Sequence, residues 1–419
     1  MSDVVSNDIL LEVAKRFGTP VYLYDLACIQ NKYSELRELL SKECDIFYSM
    51  KANPSIEICK QFQSYGACCE VSCANELLMA IAAGFLPKNI IFVGPGKKKN
   101  ELVLAIEEDI RYVICESIEE IEAINYIAES KNKIVKILIR INPDFIVPGA
   151  PIKMSGVATQ FGIDFSNFLK NIDRIAACSF VCVDGIQIYN ASRVLHFYSI
   201  VKNIKNIFES SKELSYLSKI NFSVIDFGGG FGIPYFEGEN TLPIKSLIKE
   251  INALIAEYKK ENPKMRFIME LGRYLVSESG YFISSVQSIK KSHEKNYVIL
   301  DGGMHCHLAA TGVGSFVHRN FPMRHISLKK RAHKEMLDEF QISGPLCTPG
   351  DILLRNVILP PVFLDDLIIL EKTGAYGLTA SPGRFLSHGS PAEVMLDDSV
   401  LKLIRRKEEL SDLLATQLH

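Results

Sequence analysis

Between about residues 45 and 272 the chain repeats one rhythm eight times: a short apolar run of β-forming residues, then a longer stretch with helical periodicity. The β-type runs are IFYSM (46–50), CCEVS (68–72), IIFVG (90–94), YVICES (112–117), VKILIRINP (135–143), DGIQIYN (184–190), SVIDFG (223–228) and RFIMELG (266–272). Between them lie stretches such as ANELLMAIAAGF and SIEEIEAINYIAES, where Ser117 followed by Glu120 predicts a capping box at a helix start. Parallel strands cannot be joined by tight hairpins, so each pair needs a crossover, and such crossovers are right-handed. Eight βα units have a natural solution, a closed (β/α)8 barrel; an open doubly wound sheet is the competing α/β architecture.

Beyond about residue 277 the rhythm stops. YFISSVQSI, NYVILDGG, EFQISGPL, DILLRNVIL, DLIILEKTG and AEVMLDD follow one another with short turns and little helix. That texture predicts an antiparallel β domain after the barrel. The tail LKLIRRKEELSDLLATQL is expected to be helical.

Composition removes several function classes. Lys and Arg number 47 against 49 Asp and Glu, so a net charge of −2 exerts no global pull on nucleic acid or anionic lipid. Apolar stretches such as LLMAIAAGFL reach about half a membrane span. The opening MSDVVSNDIL lacks the basic-then-apolar pattern of a secretory signal. Eleven cysteines are scattered singly apart from Cys68, Cys69 and Cys73, with no second pair at zinc-finger spacing. No metal is expected, and reduced thiols in a cytoplasm fit best.

The chemistry-bearing residues sit where barrel strands end, which is where (β/α)8 barrels carry their active sites. Lys51 follows the first strand, Tyr189-Asn190-Ala191-Ser192 the sixth, Gly228-Gly229-Gly230 the seventh, and Glu270-Leu271-Gly272-Arg273 closes the eighth. Consecutive glycines expose backbone N–H groups and admit positive φ, which suits a phosphate nest, and Arg273 adds a fork-shaped donor. A dinucleotide site is excluded, because the glycines come late and lack G-x-G-x-x-G spacing. A solvated lysine and an exposed strand-end carboxylate are the bland readings of Lys51 and Glu270 taken singly. Together with a phosphate nest they point to pyridoxal 5′-phosphate: Lys51 as its Schiff-base partner, the glycines and Arg273 on its phosphate, Glu270 facing its ring nitrogen.

The ordered set YSMKANP, EVSCANEL, RINPD, QFGID, IDFGGGFG, ELGRYLV, DGGMHCH, GPLCTPGD and GAYG resembles the fold-type III PLP-dependent decarboxylases, the family of diaminopimelate and ornithine decarboxylases. The likeness runs from about Pro20 to Leu401. It implies a barrel over 28–276, a second, mostly antiparallel domain built from 1–27 and 277–419, and a homodimer with shared active sites. It implies that Glu70 is the acid near the cofactor and that Tyr189 replaces the histidine that usually stacks on the ring. Ser192, Gly228, Gly229, Gly230, Arg273 and Tyr376 are implied phosphate contacts. Cys347 is similar to the cysteine that the partner subunit offers to return a proton to Cα. Two departures bear on substrate: Thr348 follows Cys347 where relatives acting on diamino acids carry an acid, and Phe321 stands where diaminopimelate enzymes have an arginine. GPGKK, QFG, GGGFGIPYF, GPLCTP, GAYGL and ATQL further resemble the family's butirosin-pathway branch, whose substrate is glutamate thioesterified to an acyl carrier protein. The expected activity is therefore α-decarboxylation of an aminoacyl thioester on a carrier, with Lys97, Lys98 and Lys99 as a candidate docking patch. A free amino-acid decarboxylase, a racemase on the same barrel and an inactive homologue are the competing readings.

Overall fold

Eight parallel strands close into a barrel in the order in which they occur along the chain. They are Cys44–Ser49, Cys68–Val71, Ile90–Phe92, Tyr112–Cys115, Val135–Asn142, Val181–Gln187, Val224–Gly229 and Arg266–Leu271. Each pairs in parallel with the next, and the eighth returns to the first through Phe267↔Cys44 to Leu271↔Tyr48. All eight overlap the runs that set the sequence rhythm, the sixth starting three residues earlier at Val181. The computed structural model describes residues 5–147, 152–313, 318–329 and 337–418, and residues 32–233 with 240–274 make up the compact unit that holds this barrel.

The flanking helices follow their apolar spacing. Phe197–Ser218 buries Ile200, Ile204, Ile207, Phe208 and Leu214, and Ile244–Glu261 buries Leu247, Ile248, Ile251, Ile255 and Tyr258, each a three-to-four-residue stripe. Inside the barrel Phe47, Ile91, Tyr112, Ile114, Leu138, Val224 and Ile268 form one apolar cluster. The capping box at Ser117 is only half formed. Ser117 accepts the Glu120 N–H, but Glu120 reaches back to Glu116 N at 2.8 Å instead of to Ser117 N, because its other oxygen is held by Lys97 Nζ.

A second unit comprises residues up to 31, 234–239 and 275 onward. Its sheet runs Ile352–Leu359, Asp338–Ser343, Lys295–Leu300, Gly280–Ser292, Val21–Asp25, Ala392–Asp397, Val400–Arg405, with Leu367–Glu371 and Met323–Ile326 branching from the long strand Gly280–Ser292. Most pairs are antiparallel, as expected. Two are parallel, Val21–Asp25 with Ala392–Asp397 and Lys295–Leu300 with Asp338–Ser343. Helix Asn7–Phe17 covers the sheet with Leu10 and Val13 over Val21, Leu23, Ile283, Ile369 and Val394. The tail departs from expectation. Val400–Arg405 is a strand paired with Ala392–Asp397, and only Leu410–Leu414 is helical. In VLKLIR a period-two alternation competes with the helical one, and pairing with a buried strand decides it. Among the described residues no helix is long and apolar enough to cross a membrane.

Candidate active site

Lys51 sits in a single 3-10 turn, Met50–Ala52, directly after the first barrel strand. The turn is fixed from both sides. Tyr48 donates its hydroxyl to Asn53 O at 2.7 Å and stacks on Phe62 with centroids 4.0 Å apart. A Cβ on Gly272, at the end of the eighth strand, would come within 2.7 Å of Ala52 Cβ, so only glycine lets the two strand ends close up. The Lys51 ammonium donates to Glu70 Oε1, and Glu70 is fully buried on the second strand. Its other oxygen, Glu70 Oε2, is buried with no hydrogen-bond partner among the described residues.

Glu270 is the second buried acid, and it is not alone. Gln187 Nε2 lies 2.7 Å from Glu270 Oε1 and 3.3 Å from Asp226 Oδ2, and Asp226 Oδ1 accepts the Gly228 N–H at 2.9 Å. Burial pushes Glu270 well above the ordinary carboxylate range, with Asp226 and Glu70 adding to the rise and Lys51 opposing it. Burial also raises Asp226, to about 6, against the bond from Gly228. Burial and the two neighbouring acids therefore both favour the protonated form of Glu270.

The glycine run needs its residue type. Gly228 and Gly230 have φ of +64° and +73°, and Cβ atoms on them would lie 2.4 Å from Tyr189 Cδ2 and 2.1 Å from Ala191 O. The half-buried Tyr189 ring thus packs directly on the bend. Because the Gly228 N–H is bonded to Asp226, this first glycine contributes the turn, and a donor role falls to its successors. The segment just after Ser192 is tied to the bend: Val194 N donates to Gly230 O at 3.0 Å and Gly232 N to Val194 O at 2.9 Å. Arg273 opens the short helix Arg273–Val276, and Phe231, one residue past the glycines, meets the ring of its neighbour Tyr274 edge-on at 5.9 Å.

Lys51, Glu70, Tyr189, Ser192, Gly228, Gly229, Gly230, Glu270 and Arg273 all lie at the carboxyl ends of barrel strands. Cys347 and Tyr376 belong to the second unit. There Cys347 is an exposed thiol in the turn between strands Asp338–Ser343 and Ile352–Leu359. Asp351 sets that turn, accepting Leu346 N at 2.8 Å and Met304 N at 2.6 Å, and Gly303 and Gly344 leave it room. Tyr376 has φ +53°, a left-handed conformation uncommon outside glycine, in a turn between Gly374 and Gly377. Phe321 is buried against His307, Tyr235 and Phe236, at centroid distances of 5.2, 5.1 and 5.8 Å. Its neighbour Arg324 is bound to Glu371 and Val5 O.

Sequence reasoning missed Gln187 and Asp226, although each is a polar residue inside an apolar strand, the one signal available. It also missed Glu116, whose buried carboxylate gathers Arg140 NH1 at 3.0 Å, Gly94 N at 3.0 Å and Gly162 N at 3.1 Å, fixing the QFG turn. One expectation is overturned. Lys97 is no docking residue, because its side chain is 1% exposed and its amine is held by Gly94 O, Ile114 O and Glu120.

A buried carboxylate oxygen left open beside an amine, a glycine bend that admits no Cβ, and a second buried acid within the same barrel suit pyridoxal phosphate, which needs an amine, an anion nest and a ring-nitrogen partner. The family described as "Pyridoxal-dependent decarboxylase, pyridoxal binding domain" matches residues 26–277. The chain is 38% identical over 407 residues to the L-glutamyl-[BtrI acyl-carrier protein] decarboxylase of Niallia circulans, covering 97% of this chain and 95% of that one. It is 29% identical to the 2-[(L-alanin-3-ylcarbamoyl)methyl]-2-hydroxybutanedioate decarboxylase of Staphylococcus aureus, covering 92% and 97%. The Helicobacter pylori diaminopimelate decarboxylase crystallised with L-lysine superimposes with a TM-score of 0.86 at 27% identity, over 97% of this chain and 98% of that one. With barrel and mixed sheet in agreement with that match, the chain belongs to the pyridoxal-dependent decarboxylase family, and its cofactor is pyridoxal 5′-phosphate.

Proposed function

We propose that this enzyme removes the α-carboxyl group of an amino acid whose distal carboxyl is held as a thioester on an acyl carrier protein, glutamyl or a close relative. The observation that carries the substrate reading is the pair of uncharged positions: Thr348 beside Cys347, and Phe321 packed among aromatic rings with Arg324 already bound to Glu371. A free diamino acid or diacid brings a distal ion, and a buried ion without a partner is costly. A thioester brings none. The likeness to the carrier-dependent decarboxylase supports the same substrate.

In this reading Lys51 holds the cofactor aldehyde. Gly229, Gly230, Ser192, Arg273 and Tyr376 hold its phosphate, Tyr189 covers the ring and Glu270 meets the ring nitrogen. When bound, the cofactor supplies the electron sink for the pair left on Cα as carbon dioxide departs. Glu270 keeps a proton at the ring nitrogen, Glu70 orients the Lys51 amine, and Cys347 returns a proton to Cα. Cys347 serves a partner's barrel in a homodimer, which its exposure on a clamped turn supports. All eleven cysteines are free thiols, in keeping with a cytoplasmic enzyme. Lys98 and Lys99 are exposed and remain as contacts for an acidic carrier.

The test measures carbon dioxide release from carrier-loaded glutamate and from free glutamate, ornithine, lysine and diaminopimelate. Turnover is expected with the carrier-loaded substrate; comparable efficiency on any free amino acid overturns the carrier reading. Borohydride reduction followed by peptide mapping is expected to label the peptide containing Lys51.

A further inference from the structure

Glu270 stands in a three-residue arrangement whose middle member has no assigned role. Gln187 on the sixth strand is in register with Asp226 on the seventh, and a bulge between Asp226 and Gly229 sets Gly229, rather than its predecessor, opposite Glu270 on the eighth. Bulges beside active sites re-aim side chains. The Gln187 amide nitrogen faces both acids, 2.7 Å from Glu270 Oε1 and 3.3 Å from Asp226 Oδ2. The two amide hydrogens match two acceptors, whereas the flipped amide would set an oxygen against two carboxyl groups. Its own oxygen, Gln187 Oε1, is buried with no hydrogen-bond partner among the described residues. A glutamine retained only for folding would have both ends satisfied. Here only the end facing the acids is engaged.

We infer that Gln187 is a positioning residue for the decarboxylation: its amide clamps Glu270 and Asp226 into one proton-sharing pair and fixes the direction in which Glu270 presents that proton to the cofactor ring. Asp226 is the rigid side of the clamp, because the backbone of the phosphate bend holds it through Gly228 N–H. The same three residues therefore link the anion nest to the ring-nitrogen acid. This inference rests on the assignment of Glu270 to the ring nitrogen made above. Among the described residues, the ionisable groups that act electrostatically on the pair include Glu70 on the second strand, Lys51 after the first, and the Cys44 thiol on the first strand, which Asp226 raises.

The test uses the holoenzyme and three variants. Gln187→Met keeps length and removes the donor; kcat is expected to fall about 10–100-fold, the scale of losing an outer-shell partner. KM should stay within about twofold, as for an interaction made in the transition state, and the pH at which the bound cofactor's absorbance titrates should move. Gln187→Glu can donate only while its new carboxyl is protonated. Its kcat is expected near that of the parent at low pH and falling as pH rises through that pKa, a limb the parent lacks. A folded Gln187→Met enzyme with parental kcat and absorbance titration overturns the proposal. If that variant does not fold, a Gln187→Glu profile superimposable on the parent's overturns it instead. Glu270→Gln separates the two assignments. Should it leave kcat and the cofactor spectrum untouched, the ring-nitrogen role falls and Gln187 with it; should it lose activity while both Gln187 variants behave as the parent, only the Gln187 role falls.

Discussion

Buried acids of the second unit and those at the candidate site in the barrel differ in how they are held, while Glu116, with donors on both oxygens, shows that the barrel also has structural acids. Among the described residues of the second unit, Asp366, Asp351 and Glu393 each have a partner on both carboxylate oxygens. Asp366 receives Ser327 Oγ and Leu328 N on one oxygen and Phe363 N and His325 Nε2 on the other. Asp351 receives Met304 N and Leu346 N, and Glu393 receives Tyr24 and Arg405. In the barrel mouth Glu70 keeps an open oxygen, and Glu270 and Asp226 lean on each other and on one amide. A saturated carboxylate is cross-linking the chain. An unsaturated one, buried at a cost, is arranged for something that arrives later.

The largest test of that contrast is Lys51→Ala. It should lower kcat on the order of 10^4-fold or more, as loss of a covalent residue does, and should abolish borohydride labelling of the peptide. Glu270→Gln should follow, with kcat down about 10^2–10^3-fold, the range for removing a group that stabilises developing charge. It should also leave the apoenzyme at least as stable at neutral pH, since it removes a repelled acid; a destabilised Glu270→Gln protein would move Glu270 into the structural class. Asp351→Ala tests the other side. Two backbone N–H groups lose their acceptor at about 1–3 kcal/mol each, so the urea midpoint should fall and the Cys347 turn should loosen, seen as faster reaction of that thiol with a labelling reagent. Parental stability in Asp351→Ala would erase the distinction between the units.

These differences explain what the sequence revealed. The barrel was legible because eight apolar runs with crossover spacing leave few topologies, and Lys51, Glu270 and the glycines were legible because charge or flexibility at a strand end is conspicuous. Gln187 and Asp226 were not, because their meaning lies in register between the sixth, seventh and eighth strands, which periodicity within one strand does not carry. Lys97 failed for a related reason. A run of three lysines reads as a solvated face, yet the chain turns so that the first points inward to two carbonyls and Glu120 while Lys98 and Lys99 stay out. The tail misled because VLKLIR satisfies two periods at once, and the partner strand Ala392–Asp397 is remote from it in meaning though not in sequence.

The smallest effect is a slope. A carboxyl raised on folding binds its proton more tightly in the native state, so the stability it contributes is full below the unfolded value near pH 4 and is lost as pH rises through the folded one. For the pair that window runs from about 4 through about 6 for Asp226 and further up for Glu270. Each proton released contributes at most about 1.4 kcal/mol per pH unit. Asp351 and Glu393 are raised by burial too, so the parental slope alone does not distinguish the units. The difference does. Glu270→Gln should flatten the fall in apoenzyme stability in urea melts taken from about pH 5 to 8. Asp351→Asn should shift the whole curve down with little change of slope at the upper end of that window, because burial raises its carboxyl while the Met304 and Leu346 N–H groups oppose the rise. Equal flattening by both variants would mean that the barrel acids are as fully compensated as those of the β sheet, and that the open oxygen of Glu70 marks no waiting site.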